Sequence, residues 1–241
     1  MTGSPGGGRG RDEGRGFGGT GGERVDSPGG PPFIGVVLAG GASTRMGRDK
    51  AFIEVGGVPM VARVARTMTD AGASRVLVAG GDAPRLSHLG LSVVPDHERG
   101  LGPLSGLLAA MDAIADASPP TPEGGEGPLM VSAPCDTPLL SPELISALIG
   151  TLTADTDSEV AVTEGPTGLE PLLAAWRVTR CRDTVSERLA SGSGAVRGLF
   201  GTLDTIVVRW ASPVELTNVN TPEDLRALEP RTPPGGSKSI P

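Results

Sequence analysis

Residues 38–51, LAGGASTRMGRDKA, gather three glycines, two arginines and a lysine directly behind a β-branched apolar run, FIGVVLA (33–39). Consecutive backbone N–H groups with no side chains over them can approach the oxygens of an anion. Arg45 would add a bidentate fork and Lys50 a compact point charge. Gly40, Gly41, Arg45 and Lys50 together therefore read as a phosphate-binding loop, against the alternative of a plain flexible loop. Arg48 taken alone reads as a solvated surface charge. The stretch is not a Walker loop, because no glycine stands five residues before a Gly-Lys-Ser/Thr. It also lacks the G-x-G-x-x-G spacing of the dinucleotide fingerprint.

Three further groups could act with such a loop. Asp136, in APCDTP, ends a second apolar run; alone it reads first as a helix cap or turn former, but facing a phosphate loop it becomes a candidate metal ligand, since magnesium is held by one or two carboxylates plus substrate phosphates. GLGPLSG (100–106) sets Gly102 and Gly106 at a helix start, where free N–H groups meet anions or base edges, or where helix and strand pack closely. Asp96 could accept a hydrogen bond from a base, or simply form a turn. Cys135 reads as a small buried hydrophobe rather than a nucleophile. His88 and His97 have no partner at metal-ligand spacing, and no serine–histidine–acid arrangement is supported.

These residues need elements to hold them. FIGVVLA, RVLVAG (75–80), LSVVPD (91–96) and PLMVSAPCD (128–136) read as buried strands. PMVARVARTMTDAG (59–72) and GPLSGLLAAMDAIADA (102–117) carry helical apolar stripes, and Ser141-Pro142-Glu143 starts another helix with a serine N-cap. SEVAVTEG (158–165), EPLLAAWR (170–177) and TIVVRW (205–210) read as strands, VTRCRDTVSERLA (178–190) as a helix. TPEDLRALE (221–229) reads as a short helix with a Thr221–Asp224 capping pair. The alternation predicts an α/β fold, a doubly wound, mostly parallel sheet with helices on both faces. Ligands in such sheets bind beyond the carboxyl ends of the strands. The loops after residues 39, 80, 95 and 133 should therefore share one rim.

Composition narrows the setting. The chain has 241 residues, 38 glycines and 23 prolines, with much of the glycine in residues 1–32. That stretch has almost no aliphatic residues and reads as a disordered leader. Residues 33–230 are expected to form one domain, and 231–241 a flexible tail. The net charge of −7 argues against a nucleic-acid or acidic-membrane surface. Two distant cysteines and the lack of a signal-type apolar segment suggest a cytoplasmic protein.

With these residues in view, the chain resembles the molybdenum cofactor guanylyltransferases of the MobA-like nucleotidyltransferase family. LAGGASTRMGRDKA, GPLSGL (102–107), PCDTPLL (134–140) and NVNTPEDL (218–225) follow the family's order and spacing. The resemblance implies transfer of GMP from GTP to the phosphate of molybdopterin, with or without molybdenum, releasing pyrophosphate. It implies that Gly40, Gly41 and Arg45 hold the triphosphate, with Arg45 favouring the leaving pyrophosphate, and that Leu38 and Ala39 also line the nucleotide site. Lys50 would stabilise charge at the α-phosphate, and Asp136 would hold Mg2+. Asp96, Gly102 and Gly106 would face guanine and ribose. Asn218 and Asn220 would lie near the metal or the incoming phosphate. Other molybdenum-cofactor assembly proteins and acceptor molybdoenzymes are implied partners; nucleic acid and membrane are not. One departure is Glu170 in LEPLLAAW, where many relatives carry histidine. The Pro/Gly-rich segment 118–128 reads as an added loop. A sister enzyme using CTP or another phosphorylated acceptor, or a catalytically idle cofactor-delivery protein, would be the alternatives.

Overall fold

The computed structural model describes residues 30–40, 49–97, 101–118 and 126–228. The leader up to residue 29, the tail from residue 229 and most of the added loop lie outside them. The first strand, β1 (Phe33–Leu38), has five of its six residues buried. Such a run has no solvent face, so it can only be an inner strand. It pairs in parallel with β4 (Arg75–Ala79) on one side and β6 (Leu129–Pro134) on the other, and β4 pairs in parallel with β5 (Ser92–Val94). Beyond β6 come β8 (Gly168–Arg177), β7 (Val160–Gly165) and β9 (Thr205–Arg209), giving the order β5-β4-β1-β6-β8-β7-β9. Only β8 runs against the others: it is antiparallel to β6 and β7, while β9 is parallel to β7. The sheet is mostly parallel, as expected.

Helices cover both faces. On one face α1 (Met60–Asp70) seats Val61, Val64 and Met68 beside Val37 and Val131, with Leu144 and Leu148 of α4 (Pro142–Ala154) in the same core. On the other, α3 (Pro103–Ala117) presents Leu104, Leu107 and Met111 to Val36, Leu77 and Met130. There α5 (Val178–Ala190) adds Cys181 and Val185. The Ser141 cap forms as expected, its hydroxyl accepting from Leu144 N–H at 3.3 Å.

Smaller pieces connect these elements. They are a hairpin of β2 (Glu54–Val55) and β3 (Val58–Pro59), α2 (Ala83–His88), and 3-10 turns at Lys50–Phe52 and Val196–Gly201. The last helix, α6 (Pro222–Leu228), completes the described chain. Among the described residues no helix is long and apolar enough to cross a membrane.

Candidate active site

The parallel registry brings the carboxyl ends of β1, β4, β5 and β6 to one edge, and the backbone keeps their loops side by side. Ala39 N–H donates to Ala79 O at 2.9 Å, Gly80 N–H to Val94 O at 3.0 Å, and Cys135 N–H to Leu38 O at 3.1 Å. Three glycines make room there for the carboxylate of Asp96. A Cβ on Gly80 would stand 2.9 Å from both of its oxygens, one on Gly106 2.9 Å from Oδ1, and one on Gly40 3.1 Å from Oδ2. The glycines of two strand ends and a helix start, far apart in sequence, thus converge on a single acid. Gly102 caps α3 at φ 79°, a conformation that suits glycine, and Pro103 opens the helix. Of the residues expected around the nucleotide, Leu38, Ala39, Gly40, Asp96, Gly102 and Gly106 lie on this side of the rim. Gly41 and Arg45 lie outside the described residues.

Lys50, Asp136 and Asn220 meet at the end of β6. Lys50 opens a 3-10 turn whose cap is Asp49, the carboxylate accepting from Ala51 N–H at 3.2 Å. Its ammonium lies 3.6 Å from Asp136 Oδ2 and donates to Asn220 Oδ1. Val219 N–H donates to the Asp136 carbonyl at 2.8 Å, fixing the Asn218–Asn220 segment against the β6 end. Asp224 then accepts from both Asn220 N–H and Thr221 N–H at 2.8 Å, while its own N–H donates to Thr221 Oγ1 at 3.1 Å. This is the capping pair expected from the sequence, and here it also braces the site.

Two side chains with no sequence signal complete the support. Arg63 of α1 donates to Pro138 O at 3.2 Å and Val55 O at 3.1 Å, joining the Asp136 loop to the hairpin. Glu215 accepts from Ser141 Oγ and, at 3.0 Å, from Trp210 Nε1, anchoring the approach to Asn218. Both act across long sequence separations, which no local pattern encodes.

Burial pushes the Asp136 carboxyl above its ordinary range, and the Lys50 ammonium and a backbone hydrogen bond pull it back only in part. An under-compensated carboxylate gains from a further cation. With Asn218 and Asn220 beside it the donors are oxygens, the set a hard divalent ion prefers. Among the described residues no three His, Cys, Asp or Glu side chains gather as a metal cage. A cation held by one or two carboxylates commonly draws the rest of its shell from a ligand's phosphates. Cys135 is buried and its thiol is pushed up to about 12, mainly by burial and then by Asp136, so it is no nucleophile. His97 pairs with Asp112 of α3 at 2.7 Å and His88 bonds the Pro84 carbonyl at 2.7 Å. Beside Asp136 a pocket of about 260 Å³ opens, with Thr137, Glu170, Leu172, Asn218 and Asn220 among its walls.

A doubly wound sheet with a glycine-lined acid on its carboxyl rim and a lysine–aspartate pair at the end of β6 fits a nucleotidyltransferase-type α/β protein. The comparisons agree. Residues 35–206 match the MobA-like NTP transferase domain, and the chain belongs to that family. It is 34% identical over 207 residues to a molybdenum cofactor guanylyltransferase of Rhizobium meliloti (strain 1021), covering 83% of this chain and 90% of that one. The enzyme of the same name from Rhodobacter capsulatus is 34% identical over 203 residues, with 83% and 96% covered. Among solved structures, molybdopterin-guanine dinucleotide biosynthesis protein A from Archaeoglobus fulgidus superposes with a TM-score of 0.63 at 19% identity, covering 82% of this chain and 97% of that one. That likeness bears on the fold.

Proposed function

We propose that the protein transfers GMP from GTP to the terminal phosphate of molybdopterin, forming the guanine dinucleotide cofactor and pyrophosphate. A phosphate oxygen of the acceptor attacks the α-phosphorus, and the bond from that phosphorus to the bridging oxygen of the β-phosphate breaks. The attacking group is already an anion at neutral pH, so no general base is needed. A rim whose histidines are engaged elsewhere suits this. Catalysis is then alignment and charge stabilisation.

The observation that carries the reading is the meeting of Lys50, Asp136 and Asn220 at the end of β6, beside the glycine-lined rim. Lys50 stabilises charge at the α-phosphate. Gly40 and Gly41 would serve the triphosphate, and Arg45 the departing pyrophosphate. Asp96, Gly102 and Gly106 take the base and ribose. Asp136 with Asn218 and Asn220 would hold a divalent cation, Mg2+ in this proposal, which supplies charge neutralisation on the phosphates when bound. Cys135 and Cys181, both buried free thiols, suit a reducing, cytoplasmic setting.

Thermal stabilisation by GTP, CTP, ATP and UTP, each with and without Mg2+, tests the nucleotide half of this. Ligands that bind only the folded chain raise its melting temperature according to affinity. A Mg2+-dependent rise with GTP above the other three supports guanylyl transfer. A preference for CTP would assign the chain to a cytidylyl-transferring relative. A GTP rise with no dinucleotide formed from molybdopterin would point to an idle delivery protein.

A further inference from the structure

Strand β8 departs from regular pairing beside the pocket. Its ladder with β7 runs Val160↔Trp176, Ala161↔Ala175 and Val162↔Ala174, then resumes at Thr163↔Glu170. Pro171, Leu172 and Leu173 therefore face no residue of β7, and pairing with β6 also ends at Ser132↔Ala174. The irregularity is held in place. Ser132, fully buried, donates its hydroxyl hydrogen to Leu172 O at 2.9 Å and accepts from Trp176 Nε1 at 2.9 Å. On the other side Arg197 donates to Leu169 O at 2.9 Å. Pro171 brings no N–H to the ladder and so loses nothing by standing in a bulge. Bulges re-aim side chains and are common next to active sites.

What this bulge presents is one wall of the pocket. Glu170, Pro171, Leu172 and Leu173 stand there with Leu216, while Asp136 and Asn218 belong to the same lining. Apolar surface with a few fixed polar groups suits a flat ring with a polar edge. A carboxylate offers only acceptors, so the edge it takes must carry N–H donors. The same charge repels an anion. An acceptor with a phosphate at one end and a ring at the other would thus place its phosphate toward Lys50 and its ring toward Glu170.

Resting on the function proposed above, we infer that Glu170 is the acceptor-specificity residue, binding the N–H edge of an amino-substituted nitrogen heterocycle such as a pterin. The bulge aims the carboxylate, and the Pro171–Leu172 side covers the ring.

The test is steady-state kinetics of the full chain and its Glu170→Ala and Glu170→Gln variants, with GTP and molybdopterin varied separately, plus calorimetric titration with molybdopterin. Losing a charged hydrogen bond is expected to weaken molybdopterin binding and raise its KM roughly tenfold or more in Glu170→Ala. The KM for GTP, the Mg2+ requirement and kcat stay close to those of the parent, because only a contact to the acceptor's ring is removed. Glu170→Gln keeps the shape and one acceptor, so it falls between. Wild-type KM for molybdopterin in Glu170→Ala overturns the inference while leaving guanylyl transfer intact. A rise confined to the Mg2+ requirement also overturns it and makes Glu170 a metal-side carboxylate. If the unaltered chain binds GTP with Mg2+ but does not use molybdopterin, the functional reading fails and this inference with it.

Discussion

An alanine at Gly106 sets two effects of opposite sign against each other. The residue lies in the first turns of α3, where replacing glycine by alanine favours the helix by about 1 kcal/mol. The new Cβ would lie 3.5 Å from Ala79 Cβ and 3.8 Å from Leu38 Cδ2, both ordinary contacts, but 2.9 Å from Asp96 Oδ1. Only the end of one side chain has to move. Moving it off its preferred rotamer costs of order 0.5–1.5 kcal/mol, so the two terms nearly cancel. The melting temperature should stay within roughly 4 °C of the parent, the shift about 1 kcal/mol gives at this size. Recognition has no such compensation. If the carboxylate of Asp96 accepts from the base, displacing it forfeits a charged hydrogen bond of about 1.5–3 kcal/mol. That corresponds to about tenfold to 150-fold in Kd. Gly80→Ala is the control: φ is +77°, and its Cβ would meet both Asp96 oxygens at 2.9 Å and Gly40 Cα at 3.0 Å. The left-handed backbone alone costs about 1–2 kcal/mol there, so stability and affinity fall together. Thermal melts and calorimetric titration with GTP read both quantities. A Gly106→Ala protein that binds GTP as the parent does, or that loses as much stability as Gly80→Ala, would refute the reasoning.

Lys50→Ala should cut kcat by roughly 10²–10³-fold, the usual cost of one lost transition-state charge contact, with a smaller change in KM for GTP; near-normal turnover would remove Lys50 from the mechanism. Asp136→Asn should abolish the Mg2+-dependent part of the GTP-induced rise in melting temperature, and a retained increment would place the cation elsewhere. Cys135 and Cys181 are each pushed up to about 12 by burial, so the fold favours their neutral thiols. Their contribution to stability is complete below the ordinary thiol pKa and declines as the pH climbs from there toward about 12. At pH 8 a thiol reagent should label neither cysteine in the native chain and both after unfolding; rapid native labelling would contradict the burial.

Much of this architecture was readable from local pattern. The strand β1 and its trailing glycines, the stripes of α1 and α3, the serine cap of α4 and the Thr221–Asp224 pair all depend on residues within a few positions of one another. The site itself was readable only as parts. Lys50 and Asn220 stand 170 residues apart, and nothing in either neighbourhood says that they touch. Gly40 read as part of a phosphate loop, Gly106 as a helix start or packing point and Gly80 as a strand end; their common contact with Asp96 exists only where three loops converge. EPLLAAWR read as a plain strand; the bulge at Pro171 is fixed by Ser132 of β6, which holds Leu172 O and Trp176 Nε1 and which no local pattern reveals. Arg177, at the end of AAWR, gives no sign that its side chain is fully buried. It is held by Leu152 O at 2.9 Å, Ser158 O at 3.1 Å and Glu126 at 2.9 Å, partners that tertiary packing supplies.

The most direct test of guanylyl transfer follows the label. The purified chain is incubated with molybdopterin, Mg2+ and GTP labelled at either the α- or the γ-phosphate. The account predicts that the α-label moves into a pterin-containing product while the γ-label leaves as pyrophosphate in equal amount, and that omitting molybdopterin or the metal stops both. An α-label that stays on free nucleotide while GTP and acceptor are bound, or one that transfers faster from CTP, would contradict it.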